Sequence, residues 1–170
     1  MITGAPGVGK STICRMASAR LECAAHIEAD ELHRMIVTGA EWPNAGTPDS
    51  QAQLLLRTRN AAQVAANFSD AGITPIVDEV IATHEQLDIL DEILAGANVT
   101  FVVLGASAQA ILERDAGRHK HTAAHYLGVD QLVSGVLAGR AAFLDTTELS
   151  PEETVNAVQG IVPNVGWLAT

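Results

Sequence analysis

Nine residues close to the amino terminus carry the strongest chemical signal in the chain: Gly4-Ala5-Pro6-Gly7-Val8-Gly9-Lys10-Ser11-Thr12. They satisfy the spacing G-x-x-x-x-G-K-[ST] at each fixed position, and that order has a mechanical reason. Glycines let the backbone curl until successive N–H groups point inward, where they can hold phosphate oxygens. A helix starting directly behind the loop adds the positive end of its dipole. The Lys10 ammonium then suits the β- and γ-phosphates, and the Ser11 hydroxyl suits Mg²⁺. The pattern predicts a nucleotide site formed by Gly4, Gly7, Val8, Gly9, Lys10, Ser11 and Thr12.

Three further features are expected to meet this loop, because parallel α/β sheets bind ligands at the carboxyl ends of their strands. Asp78 follows the apolar run Ile76-Val77, where a carboxylate can reach Mg²⁺ or its waters; capping a helix or turn is its other use. Glu79 beside it either supports an ordered water or faces solvent. Asp30, beyond a second predicted strand, could take the proton of an acceptor hydroxyl attacking a γ-phosphate, or could simply cap the next helix. Glu28 alternates with it and reads as structural. Asp145-Thr146-Thr147 ends the last predicted strand at the same level.

Basic residues are scarce, ten in the whole chain, so those that cluster are candidates for handling phosphate. Arg114 and Arg118 are four apart and can share a helical face, with Lys120 just beyond. Closing over a nucleotide, they would oppose charge on the transferring phosphoryl group, an effect worth about 10³–10⁵ in other systems. A solvated basic lid is the plainer use. His119, His121 and His125 lie in the same stretch, and the i, i+4 spacing of His121 and His125 invites a metal. No cysteine or second ligand pair accompanies them, which favours flanking phosphate or facing water. Arg34, Arg57 and Arg59 could bind an anionic or polar acceptor, or be exposed helix charges. Trp42-Pro43, in a glycine-rich loop, could cover that pocket or merely pack.

The elements that must position these groups alternate short apolar runs with helical stretches, the pattern of a parallel sheet wrapped by helices. A very short first strand ends at Thr3, shorter than is usual before such a loop, which leaves room for a native start upstream of Met1. Helices are expected over Lys10 to Leu21, around His33-Arg34, over Ser50 to Asp70, from a Thr83/Gln86 capping box, from Ser107 to near Gly117, and through Leu137. Strands are expected at His26 to Ala29, Thr74 to Val77, Val99 to Leu104 and Ala141 to Leu144. Thr38 to Asp49 reads as a loop, residues 117–128 as a basic lid, and Ser150-Pro151-Glu152-Glu153 as a helix start.

The length of 170 residues fits one domain with a sizeable core. Hydrophobic content of 48% against 18% charged residues describes a globular chain. A net charge of −10 argues against a nucleic-acid or anionic-membrane binder. Cys14 and Cys23 read as small core residues in a reducing compartment, without a disulfide. With no bilayer-spanning run and no signal peptide, a cytoplasmic location is expected.

Taken together, these residues resemble the P-loop kinases of the nucleoside-monophosphate-kinase-like fold, and most closely the chloramphenicol phosphotransferase-like small-molecule phosphotransferases. The likeness rests on Gly4 to Thr12, Ala29-Asp30, Ile76-Val77-Asp78-Glu79, Arg114 to Arg118 and Leu144-Asp145-Thr146-Thr147, and spans Met1 to about Val162. It implies a three-layer α/β P-loop NTPase fold, with a five-stranded parallel sheet of order 2-3-1-4-5, helices on both faces and a small lid. It further implies ATP or GTP with Mg²⁺ held by Ser11 and Asp78, and Thr146 and Thr147 beside the nucleotide base. Asp30, Lys10, Arg114 and Arg118 would be catalytic, and Asp30, Arg34, Trp42, Arg57 and Asp78 would face a small-molecule hydroxyl acceptor. Several such enzymes inactivate antibiotics, nucleoside antibiotics such as capuramycin among them. Asp30 to Ser50 matches no substrate signature, so the acceptor is implied by analogy alone. A metabolic nucleoside or nucleotide kinase, with arginines gripping a phosphate, and a nucleotide-binding switch are the alternatives.

Overall fold

Five apolar runs pair side by side into an all-parallel sheet: β1 (Ile2–Gly4), β2 (Ala24–Glu28), β3 (Thr74–Asp78), β4 (Phe101–Gly105) and β5 (Ala141–Asp145). Their order is β2-β3-β1-β4-β5, the order implied by the resemblance and the P-loop NTPase kinase fold. The computed structural model describes residues 1–116 and 128–168. Parallel neighbours need crossovers, and helices supply them: α1 (Lys10–Ser18), α2 (Ala29–Arg34), α3 (Pro48–Asp70), α4 (His84–Ile93), α5 (Ala108–Ala116), α6 (Val129–Val136) and α7 (Pro151–Ile161).

The period-two alternation of the strands sorts the core into two faces. Ile2, Val102 and Leu104 pack against Ile13, Cys14 and Ala17 of α1 and Val155 and Val158 of α7. On the other face Val77 meets Ala61 and Ala65 of α3, while Phe101 and Val103 meet Leu87 and Leu90 of α4 and Val133 of α6. No helix among the described residues is long and apolar enough to cross a membrane.

Several boundaries differ from the sequence expectation, each for a local reason. Helix α3 starts at Pro48 instead of Ser50, because the Thr47 side chain accepts from the Ser50 N–H while Ser50 Oγ accepts from the Thr47 N–H. Helix α1 stops at Ser18, since Leu21 is drawn into a bridge with Trp167. At α4, Thr83 accepts from the Gln86 N–H as expected, but the Gln86 amide turns to Ala82, Val80 and Thr58, so the box is half made. Ser150 and Glu153 form the full box of α7. Cys14 is buried, which pushes its thiol up, whereas Cys23 is exposed and not a core residue; both are free thiols. Cys23 stands just ahead of β2, which lies at the edge of the sheet.

Strand β1 runs beside β4 for its whole length but meets β3 only where Ile2 faces Asp78. The Met1 backbone nitrogen donates to the Thr100 carbonyl at 2.6 Å. A cleft of about 1060 Å³ opens at these amino ends, lined among others by Met1, Thr74, Ile76, Thr100 and Trp167. It lies at the opposite end of the strands from the glycine loop.

Candidate active site

The loop from Gly4 to Gly9 turns sharply because three of its glycines take positive φ: 141° at Gly4, 88° at Gly7 and 109° at Gly9. At Gly4 a Cβ would stand 2.3 Å from the Leu104 carbonyl oxygen, a contact no side chain tolerates. Gly9 is the N-cap of α1 and supplies no capping side chain, which leaves the first-turn N–H groups available to an anion. Val8 is anchored in the core and its N–H turns back to Ala5. Lys10 Nζ donates across the loop to the Ala5 carbonyl at 3.2 Å. Lys10, Ser11 and Thr12 remain half-buried at the rim. This cradle fits a polyphosphate by shape and by donor chemistry.

The turn after β5 closes on the same loop. Buried Thr146 donates its N–H (2.8 Å) and its hydroxyl (3.0 Å) to the Gly105 carbonyl. Thr147 Oγ1 accepts from the Ser107 N–H at 2.9 Å and donates to Asp145 at 2.6 Å. Arg114 of α5 ties these parts together: Nη1 donates to Val8 O (3.3 Å) and Thr146 Oγ1 (3.0 Å), and Nη2 to the Thr146 and Thr147 carbonyls. Arg114, expected to oppose phosphoryl charge, braces α5, the glycine loop and the β5 turn against one another. Arg118, Lys120, His119, His121, His125 and nearly all of the lid expected over 117–128 lie outside the described residues.

A second cluster forms where β2 and β3 end. Asp30 sits in the first turn of α2, whose N-cap is Glu28, so it does not cap that helix. Its half-exposed carboxylate instead accepts from Arg57 Nη1 at 3.1 Å. Arg57, only 5% exposed in mid-α3, donates its other Nη to Glu79 Oε1 at 2.5 Å. Glu79 is 2% exposed; burial raises its pKa to about 7 against the opposing pull of the Arg57 charge and hydrogen bond. Glu79 Oε2 and Arg57 Nε have no hydrogen-bond partner among the described residues. Sequence reasoning missed Glu79 as a buried partner, although it follows Val77 by two and so shares its face.

An aromatic wall stands beside these charges. The buried His33 ring lies 4.5 Å from the Trp42 ring, tilted by 43°. Burial lowers the His33 pKa, and the Arg57 charge lowers it further. Arg34 reaches over Trp42 at 5.9 Å and pairs with Glu31. The Trp42 loop is held by Gln53, which accepts from the Glu41 N–H at 2.8 Å and donates to the Gly39 carbonyl at 2.7 Å. Arg59 leaves the cluster altogether and pairs with Glu92 of α4 at 3.7 Å.

Asp78 turns to the opposite face from Glu79. It is 5% exposed beneath α1, with a carboxylate oxygen, Cys14 Sγ and a His26 ring nitrogen within 4.8 Å of one another. Ser11 lies three residues before Cys14 and shares that side of α1. Ser11 and Asp78 therefore belong to the α1 layer, and the carboxylate that joins Arg57 is Glu79.

The chain belongs to the AAA domain family, whose model matches residues 1–134. No curated protein matches it in sequence. Among solved structures it is similar to a sugar kinase from Janibacter sp. HTCC2649, at 23% identity and a TM-score of 0.72, covering 97% of this chain and 95% of that one. It is also similar to the Deinococcus radiodurans tunicamycin resistance protein (21% identity, TM-score 0.66, 99% and 96% covered). The Mycobacterium tuberculosis APS kinase in complex with AMPPNP and APS gives 19% identity and a TM-score of 0.66, with 96% and 95% covered. At such identities the likeness is one of fold.

Proposed function

We propose that this member of the AAA domain family is a kinase that transfers the γ-phosphoryl group of ATP or GTP to a hydroxyl of a small molecule. The observation that carries the reading is the Asp30 carboxylate: half-exposed, held from behind by Arg57, and at the same end of the sheet as the glycine loop. The loop from Gly4 to Thr12 would hold the phosphates, and Ser11 with Asp78 would hold Mg²⁺, which neutralises phosphate charge when bound. Asp30 orients the acceptor hydroxyl and takes its proton. Kinase fold relatives support phosphotransfer in general. The resemblance to chloramphenicol phosphotransferase-like enzymes, and the fold likeness to a tunicamycin resistance protein, support an antibiotic as the acceptor.

The test is mass spectrometry of an acceptor library incubated with ATP, GTP and Mg²⁺, in which the substrate gains one phosphoryl group. Asp30→Asn should keep nucleotide affinity while transfer falls by about 10²–10⁴. Unchanged turnover in that variant removes Asp30 as the base, and hydrolysis that ignores every acceptor removes the kinase reading.

A further inference from the structure

We propose that Glu79 is a specificity-determining residue which, by occupying Arg57, confines the acceptor to uncharged or cationic alcohols and turns away phosphate- and carboxylate-bearing ones. The proposal rests on the reading that the Asp30 side of the site receives the acceptor.

An anionic acceptor is gripped most strongly by a free guanidinium, through paired charge-assisted hydrogen bonds. Among the described residues, each of the three arginines near this region is already engaged. Arg57 gives one Nη to Asp30 and the other to Glu79, and is itself buried. What it presents outward is the half-exposed Asp30 carboxylate, so an approaching anion meets like charge first. Arg34 is paired with Glu31, and Arg59, about 200° round α3 from Arg57, is paired with Glu92. Two carboxylates, Asp30 and Glu79, stand against the single charge of Arg57.

The unpartnered atoms point the same way. Among the described residues, buried Glu79 Oε2 lacks a donor and buried Arg57 Nε lacks an acceptor. An alcohol hydroxyl can both donate and accept, whereas an ionised phosphate or carboxylate brings acceptors only and would meet the half-exposed Asp30 carboxylate with another anionic oxygen. The tilted His33–Trp42 pair adds an apolar wall against which a ring can lie.

The experiment measures acceptor binding with AMPPNP and Mg²⁺ present, and phosphoryl transfer separately with ATP. The probes are glucose, glucosamine, gluconate and glucose 6-phosphate, with uridine, uridine 5′-monophosphate and chloramphenicol. Uncharged and cationic probes are expected to bind the native protein at least about tenfold better than their anionic counterparts, as one uncompensated like charge at close range dictates. Glu79→Gln, which keeps the shape but replaces the carboxylate that competes for Arg57, should narrow that ratio by about tenfold, with AMPPNP affinity preserved. A merely structural role for Glu79 would lower Tm without moving the ratio.

Anionic probes binding the native protein as well as the neutral ones overturn the proposal, and so does a folded Glu79→Gln variant with an unchanged ratio. If that variant fails to hold AMPPNP, the native panel alone decides. Should no probe bind while AMPPNP does, there is no acceptor site here and the proposal falls. Charge-selective binding without transfer leaves the selectivity rule standing and refutes the kinase reading instead.

Discussion

Replacing Arg57 with methionine, apolar and close to it in length, should alter the pH profile of stability more than stability at any one pH. In the native protein Glu79 titrates near 7 instead of its ordinary 4.5, because burial outweighs the Arg57 charge. The folded state therefore holds this proton more tightly than the unfolded chain does. The contribution is fully present below 4.5 and is lost as pH rises to about 7, a fall of roughly 3 kcal/mol that then levels off. In Arg57→Met both influences that pull the Glu79 pKa down disappear, so the plateau moves to higher pH. Stability should keep falling at about 1.4 kcal/mol per pH unit, which separates the variant from the native protein by up to about 2 kcal/mol between pH 7 and 9. The roughly 3–5 kcal/mol normally lost when a buried ion pair is broken should not appear at pH 5, where Glu79 is neutral with or without Arg57. Urea unfolding at pH 5, 7 and 9, followed through Trp42 and Trp167, measures the profiles. Arg57→Met/Glu79→Gln should lose the extra slope. Parallel native and Arg57→Met profiles would refute the assignment of Glu79 as a buried group whose ionisation is sustained by Arg57.

Gly4→Ala should be severely destabilising, since the added Cβ meets the Leu104 carbonyl at 2.3 Å, a backbone clash on top of about 1–3 kcal/mol of φ strain. Gly9→Ala, with nothing within 4 Å of its Cβ, should lose only the strain; equal melting temperatures for the two variants would contradict this. Arg114→Ala removes the brace between Val8 and Thr146 and should weaken AMPPNP binding about ten- to a hundredfold, read by calorimetry. Turnover lost at unchanged nucleotide affinity would instead put Arg114 against the transferring charge.

The glycine loop was legible because its chemistry is local: nine consecutive residues hold both the backbone freedom and the charge that phosphate requires. The acid after an apolar strand and the capping serine and glutamate of α7 were legible for the same reason. What escaped was pairing over distance. Asp30 and Arg57 are 27 residues apart, and Arg57 and Glu79 are 22 apart, so no window contains them. Both nonetheless left a mark in the pattern. Arg57 falls on the buried stripe Leu54, Thr58, Ala61 and Ala65 of α3, and Glu79 continues the buried register of Val77. A charge on a stripe that must be buried has to find its counter-charge on the facing element, and α3 packs directly on β3. Crossing those two anomalies yields the pair without any coordinates. Arg114 is a different case, because its acceptors are mainly the carbonyls of Val8, Thr146 and Thr147, and backbone acceptors have no signature in side-chain identity. The bracing contacts of Arg114 are therefore invisible in the sequence, which shows only an arginine that can reach a phosphate loop. Which arginine faces a ligand and which one holds the loop is decided by where the turn after β5 brings its carbonyls, a property of the assembled sheet and not of any segment within it.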